Sequence, residues 1–427
     1  MRRVDPPSSL SLHSVGGACG LAAGAWLGAA EAPTKLVTVG YSPFVISLGM
    51  VAGVFLARWT LPMVLKGATY VWQDLREKPH LAVWAVLAGM LWVVANTLTI
   101  FAIRDVGLSI AFPLWNTNSL VGLFWGWLLF SELRGAGARD RAKVLGGALA
   151  IVGGACLLAW ATTHQDAGAR EHAVRGVTAA LAAGLLWGTM YIPYRKAYLS
   201  GMNPLSFVTV FTFGELGTML ALAAGFHGGW SGLQAELVRV RPALFWLFLG
   251  GLCWVLGDLF QQYAAKYIGI GRGIPLSNTN QLWGLAWGAL VFGEMAALSP
   301  TGQLLVVAGS VVMMAGALAI SFAEAPAAEQ RSWRAAMERE CRRYGLDPQR
   351  TEANLEGRDS IAEVGHARRW WEYAVAAVAA AIFLWLAFGT SRQPIPISIP
   401  WLLVLSAASL VILVVVGALL WKRTRFV

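Results

Sequence analysis

Residues 113–132 read PLWNTNSLVGLFWGWLLFSE, and residues 275–294 read PLSNTNQLWGLAWGALVFGE. Thirteen of these twenty aligned positions are identical at a constant offset of 162. The same offset holds upstream, where GMLWVVANTL from Gly89 aligns with GLCWVLGDLF from Gly251. Trp92 thereby matches Trp254, and Asn96 stands opposite Asp258. Gly40-Tyr41-Ser42-Pro43 corresponds more loosely to Gly201-Met202-Asn203-Pro204, and the region of Trp26 to that of Trp187. The chain is therefore a duplication, and the best-matched stretches combine apolar runs with carboxamides.

A helix that crosses a bilayer needs roughly 20 predominantly apolar residues. Twelve such runs lie near 11–30, 43–65, 81–103, 107–130, 143–162, 176–195, 204–226, 243–265, 270–292, 301–322, 370–389 and 400–421. The first ten divide into five per repeat. Five is odd, so the second repeat enters the membrane upside-down relative to the first, and inverted repeats with a midplane site mark secondary transporters. The predicted fold is an all-α polytopic membrane protein of two inverted five-helix repeats plus a C-terminal two-helix extension. Its predicted divisions are 1–165, 166–322, a polar cytoplasmic linker over 323–369 that contains a surface helix at 329–344, and a transmembrane hairpin over 370–427.

Composition agrees. Of the 427 residues 57% are hydrophobic and only 13% charged, against about a quarter charged in soluble domains, and mean hydropathy is +0.58. Lipid must cover most of the surface. The 47 glycines suit helices that approach closely in a bilayer. The net charge of +10 fits the Lys/Arg excess of cytoplasmic loops rather than a nucleic-acid partner. With the N-terminus inside, the loops among the first ten helices carry eleven Lys/Arg on the inner side and six on the outer, which predicts both termini on the cytoplasmic side, by default of a bacterial inner membrane. Arg2, Arg3 and the run ending Ala29-Ala30-Glu31-Ala32 imitate a signal peptide. That run matches the start of the second repeat, so it is expected to stay in the fold. The four cysteines are far apart, and no disulfide framework, metal cluster, nucleophile triad or cofactor motif is evident.

Within the repeated motif, Pro113 and Pro275 are expected near helix starts, where a missing amide hydrogen is tolerated. Asn116, Thr117 and Asn118, and likewise Asn278, Thr279 and Asn280, offer donors and acceptors that a bilayer cannot satisfy. Two readings stand: they line a cavity for a polyhydroxylated solute, or they bond one another and hold the repeats together. Trp92, Trp187, Tyr191 and Trp254 could stack on the C–H faces of a sugar, or simply fill the core. Gly122 and Gly126, with Gly284 and Gly288 opposite, read as a small-residue packing face. Glu31, Glu215 and Asp258 are ionisable at membrane depth and hence candidates for proton coupling. Their structural alternative is a static Glu215–Arg58 or Asp258–Lys266 pair. Glu132 and Glu294 end their helices and read as caps.

The five-plus-five plan, GLLWGTMYIPYRKA from Gly184 and the helix-end acids after Trp-Gly resemble the drug/metabolite transporter superfamily. Over residues 11–322 the chain is most similar to the glucose/ribose porter type of sugar permease. That resemblance implies a cavity lined by helices 1, 3, 4, 6, 8 and 9, with Trp26, Asn96, Asn116, Trp187, Asp258, Gln262 and Asn278 facing it. It also implies facilitated or cation-coupled movement, by proton or sodium. The expected partners are a sugar-like small molecule and membrane lipid, with a homodimer left open. The rivals are an exporter of a drug-like metabolite, and a membrane enzyme or scaffold acting on a lipid-linked substrate.

Overall fold

A computed structural model describes residues 9–424 except 66, 131–135, 162–166, 269, 324–326, 356–368 and 393, and contains no strand among the described residues. Its helices are α1 (Ser9–Lys35), α2 (Pro43–Leu65), α3 (Ala68–Glu77), α4 (His80–Val106), α5 (Leu108–Trp115), α6 (Asn118–Phe130), α7 (Ala138–Ala161), α8 (Ala167–Leu199) and α9 (Pro204–Phe226). They continue as α10 (Trp230–Val240), α11 (Leu244–Ile268), α12 (Ile270–Ser277), α13 (Asn280–Ala286), α14 (Pro300–Ser321), α15 (Ala327–Tyr344), α16 (Pro348–Leu355), α17 (Trp370–Ala387) and α18 (Ile399–Thr424). Among the described residues nine helices are long and apolar enough to cross a membrane. The chain is an integral membrane protein.

Local chemistry sets the boundaries. Asn203 caps α9 by accepting the Leu205 N–H at 2.8 Å, with Pro204 at the first helical position. Ser299 does the same for α14, accepting from Gly302 at 3.1 Å. Gly40 and Gly201, counterparts in the loose alignment, both turn the chain with positive φ, at 88° and 67°. Such left-handed turns favour glycine, which has no Cβ to clash.

The runs 107–130 and 270–292, expected as single helices, are interrupted. α5 stops at Trp115 and α6 begins at Asn118; α12 stops at Ser277 and α13 begins at Asn280. Pro113 and Pro275 lie inside the short leading helices rather than at their starts. A proline there supplies no amide hydrogen to the helix. The chain then tightens: Asn116 N–H reaches Pro113 O, and Thr279 N–H reaches Leu276 O, three residues back in each case. Both Asn-Thr-Asn motifs thus sit at a break between two short helices.

Packing contacts come in pairs. α1 packs on α11 as α8 packs on α4; α2 packs on α11 as α9 packs on α4; α7 and α14 pack on each other. Close approach depends on glycine. A Cβ on Gly89 would lie 2.1 Å from Phe211 O, and one on Gly251 would lie 2.5 Å from Met50 O. Gly147 faces Gly316, and Gly154 faces Gly309, across the α7–α14 crossing. In the small-residue face read from Gly122, Gly126, Gly284 and Gly288, the nearest neighbours of Gly122, Gly284 and Gly288 are not one another. Gly122 packs on the Tyr191 ring, Gly284 on Phe112, and Gly288 on Ser109 and Glu294. The helix breaks turn these glycines toward different neighbours.

The C-terminal hairpin, α17 and α18, leans on one side of the bundle. α17 contacts α2 and α11, and α18 contacts α1 and the π-helical turn Trp287–Val291. Trp370 is exposed at one end of the hairpin. At the other end, Ser391 donates to Pro242 O at 2.9 Å. The expected surface helix at 329–344 is α15. It lies with α16 against α3, α4 and α8 at one end of the bundle.

Candidate functional site

The two helix breaks meet. Asn116 Nδ2 donates to Asn280 Oδ1 at 2.6 Å. Asn278 Nδ2 lies 3.2 Å from Asn116 O and 2.9 Å from Asn118 Oδ1, and it also contacts Ser119 Oγ. Asn118 Nδ2 in turn donates to the Tyr191 hydroxyl at 3.3 Å. The motifs therefore do bond one another.

They also line a cavity. It is walled by Trp92, Trp115, Trp187, Trp254, Phe112 and Tyr191, with Leu27 and Met190. Its polar groups are Asn116, Asn118, Asn278, Asn280, Gln261 and Glu31. The aromatic walls are braced by each other. Trp92 and Trp254 meet edge-on at 4.5 Å between ring centroids, and Trp115 and Trp187 at 5.8 Å. Three buried polar atoms on cavity residues have no hydrogen-bond partner: Glu31 Oε2, Asn116 Oδ1 and Trp187 Nε1. An apolar wall with a few unmet donors and acceptors is the general form of a small-molecule site.

Other candidates lie elsewhere. Trp26 turns its indole away and donates to Ser409 O of α18 at 3.0 Å. Asn96 donates to Ser47 on α2 at 3.0 Å. Thr117 bonds Leu114 O at 2.8 Å. Thr279 Oγ1 has no partner and sits where a Cβ on Gly24 would collide with it. Asp258 and Gln262 lie beside the cavity in a buried chain. The Arg58 guanidinium pairs with Asp258, the Gln262 amide donates to Asp258 Oδ1 at 2.7 Å, and the Tyr198 hydroxyl donates to Gln262 Oε1. Arg58 also lies over the Trp254 ring at 5.2 Å, which ties this chain to the cavity wall. The ion pair is thus Arg58–Asp258, in place of either static pair envisaged from sequence. Glu215 is fully buried, and neither of its carboxylate oxygens has a partner.

Leu27, Phe112, Trp115, Met190 and Gln261 were missed. Helical spacing pointed to most of them. Met190 lies three residues from Trp187, Gln261 lies seven from Trp254, and Leu27 lies four from Glu31, so each shares a face with a residue already singled out. Trp115 was hidden by the repeat itself, because its counterpart is Ser277.

At the end of the bundle opposite α15, Glu294 acts as the cap read from sequence. Its carboxylate accepts the Leu108 N–H at 3.0 Å and the Ser109 N–H at 2.8 Å, at the start of α5. It also accepts from the Ser109 hydroxyl at 2.9 Å and pairs with Lys35 at 2.9 Å. Burial pushes this carboxyl's pKa up, but the Lys35 ammonium and the two backbone N–H groups outweigh it and hold the pKa below its ordinary value. Glu132 lies outside the described residues.

Residues 174–322 match the EamA-like transporter family, within the drug/metabolite transporter superfamily. A "Putative sugar uptake protein" of Lactobacillus johnsonii is 36% identical over 91 residues, covering 20% of this chain and 31% of its own length. A protein of the same description from Streptococcus pyogenes serotype M1 is 25% identical over 231 residues, covering 52% of this chain and 74% of its own length. The chain thus spans about a third of the first relative and about three-quarters of the second. A solved crystal structure covering 71% of this chain superposes at a TM-score of 0.40 and 18% identity, too loose a likeness to bear on the fold.

Proposed function

For a chain whose residues 174–322 match the EamA-like transporter family, we propose a permease that moves a small, neutral, polyhydroxylated solute of the sugar class by alternating access. The observation that carries this reading is the cavity where the two Asn-Thr-Asn breaks meet. Its carboxamides and unmet polar atoms suit hydroxyls, and its indole walls suit the C–H faces of a ring. The names of the streptococcal and lactobacillar relatives support the same class.

The machine is two inverted five-helix repeats, spanning 1–165 and 166–322. The paired packing of α1 on α11 and α8 on α4 supports this division. Both termini lie in the cytoplasm of a bacterial inner membrane, so α15 is at the cytoplasmic end. Proton coupling runs through Glu31 or Glu215, because each carries a buried carboxylate oxygen without a partner. Asp258, held by Arg58, positions the cavity wall instead.

The test is uptake of a panel of radiolabelled sugars into proteoliposomes, with and without an imposed proton gradient, using Asn278→Ala as control. Saturable uptake lost in the variant is expected. Absence of uptake for every sugar, in either gradient direction, by folded protein refutes the sugar assignment and favours export of a greasier metabolite.

A further inference from the structure

Two lysines hold corresponding places in the repeats. Lys35 and Lys196 are 161 residues apart, the offset that also relates Gly40 to Gly201 and Pro43 to Pro204. Lys35, at the end of α1, fastens its end of the bundle by binding Glu294, whose carboxylate caps α5. Lys196, near the end of α8, instead binds Glu340 of α15, a residue beyond both repeats.

The Lys196–Glu340 pair is one of several contacts. Met337 and Cys341, one turn apart on α15, are buried with Leu199 of α8, and Phe130 at the end of α6 packs against them. The Tyr344 ring stacks on His80, the first residue of α4, at 3.6 Å between centroids and 7° between planes. From α16, Arg350 pairs with Glu77 of α3 at 3.0 Å, and Thr351 lies where a Cβ on Gly201 would meet it. The Cys341 thiol lies 3.6 Å from the Thr351 hydroxyl, joining α15 to α16. One helical segment therefore ties together the ends of α3, α4, α6 and α8, elements drawn from both repeats.

We propose that α15 and α16 form a strap that latches this end of the bundle shut, with the Lys196–Glu340 pair as its fastening. On the permease reading, on which this inference rests, that end faces the cytoplasm, and release of the strap sets the rate at which it opens. On the opposite end the latch is internal to the ten-helix body, through Glu294. Here it is handed to a segment outside the repeats, where a change in the segment can govern it.

The test uses the full chain in nanodiscs and proteoliposomes, as wild type, Glu340→Lys, and the exchanged pair Lys196→Glu with Glu340→Lys. Labelling of Cys341 by a water-soluble maleimide, read by mass spectrometry of its peptide, reports undocking. Hydrogen–deuterium exchange of residues 191–199 reports opening at the end of α8. Glu340→Lys is expected to speed Cys341 labelling about tenfold, as two like charges replace a partly buried pair. It is also expected to raise exchange over 191–199 and to increase the initial rate of sugar uptake, and the exchanged pair is expected to bring all three back toward wild type. Unchanged labelling in Glu340→Lys overturns the fastening. Faster labelling with unchanged exchange and unchanged uptake overturns the latch and leaves α15 a mere anchor. Labelling and exchange that respond while even wild type moves no sugar support the latch and refute the sugar assignment.

Discussion

The Arg58 guanidinium and the Asp258 carboxylate form an ion pair between α2 and α11 with about 1% of either side chain exposed. Gln262 donates to the free carboxylate oxygen, and the Trp254 ring lies under the cation. Separating such a pair leaves an uncompensated charge in a low-dielectric interior. Asp258→Asn is expected to lower stability by about 3–5 kcal/mol. The double variant Arg58→Met with Asp258→Leu should recover most of that loss. Thermal unfolding in detergent, followed by loss of the monodisperse peak, checks both. Equal losses in the single and double variants would mean that the pair matters for shape rather than charge.

Asn278 is the hub of the meeting breaks, with Asn116 O, Asn118 Oδ1 and Ser119 Oγ all within reach of one amide nitrogen. Asn278→Ala strands buried acceptors, at a cost of about 1–3 kcal/mol in stability. On the proposed sugar-permease reading, the same loss corresponds to a drop in uptake of about tenfold or more. Trp160→Ala, on the exposed face of α7, serves as the control that leaves uptake unchanged.

Glu294 gives a pH signature. Its folded pKa is held below its ordinary value of 4.5. A depressed carboxyl contributes stability that is present above its unfolded pKa and lost as pH falls through the folded one. The difference in Tm between wild type and Glu294→Gln should therefore be steady from neutral pH down to about 4.5 and shrink below it. A difference that grows on acidification would contradict the Lys35 pairing.

The α7–α14 crossing separates glycine that is needed from glycine that is not. A Cβ on Gly154 would lie 2.4 Å from Met313 Cγ and 2.6 Å from Gly309 O, whereas one on Gly153 meets nothing within 4 Å. Gly154→Val is expected to cost about 1–3 kcal/mol by overpacking. Gly153→Val should stay within about 0.5 kcal/mol, as at other open sites. Comparing the two melting temperatures in one detergent decides the point.

Much of this molecule can be read in one dimension. Apolar run length announces the membrane helices, and the offset of 162 picks out the carboxamides that meet at the breaks. Glu294 is recognisable as a helix-end acid before its partners are known. What the chain hides is partner choice across long separations. Arg58 lies 200 residues from Asp258, and nothing in its neighbours distinguishes that carboxylate from Glu215. Only the packing of α2 against α11 makes the choice. Trp26 shows the same limit, because its orientation depends on Ser409, in an extension outside the repeat that suggested its role. The helix breaks at Asn116–Thr117 and Asn278–Thr279 lie in between. Pro113 and Pro275 signal a disturbance, while its position a few residues later depends on three-residue turns that the neighbouring helices stabilise.

The hairpin of α17 and α18 touches α1, α2 and α11, whereas among the described residues it makes no comparable contact with their counterparts α8, α9 and α4. On the inverted-repeat reading proposed above, two copies of one fold inserted head to tail would by themselves give an inward-open and an outward-open form of nearly equal free energy, since each form is close to the other turned over. A brace on one half removes that degeneracy. Its contacts cannot be equally good in both forms, so the resting population is tilted by whatever difference they carry. On that reading, an appendage outside the cavity lining selects which way the cavity waits.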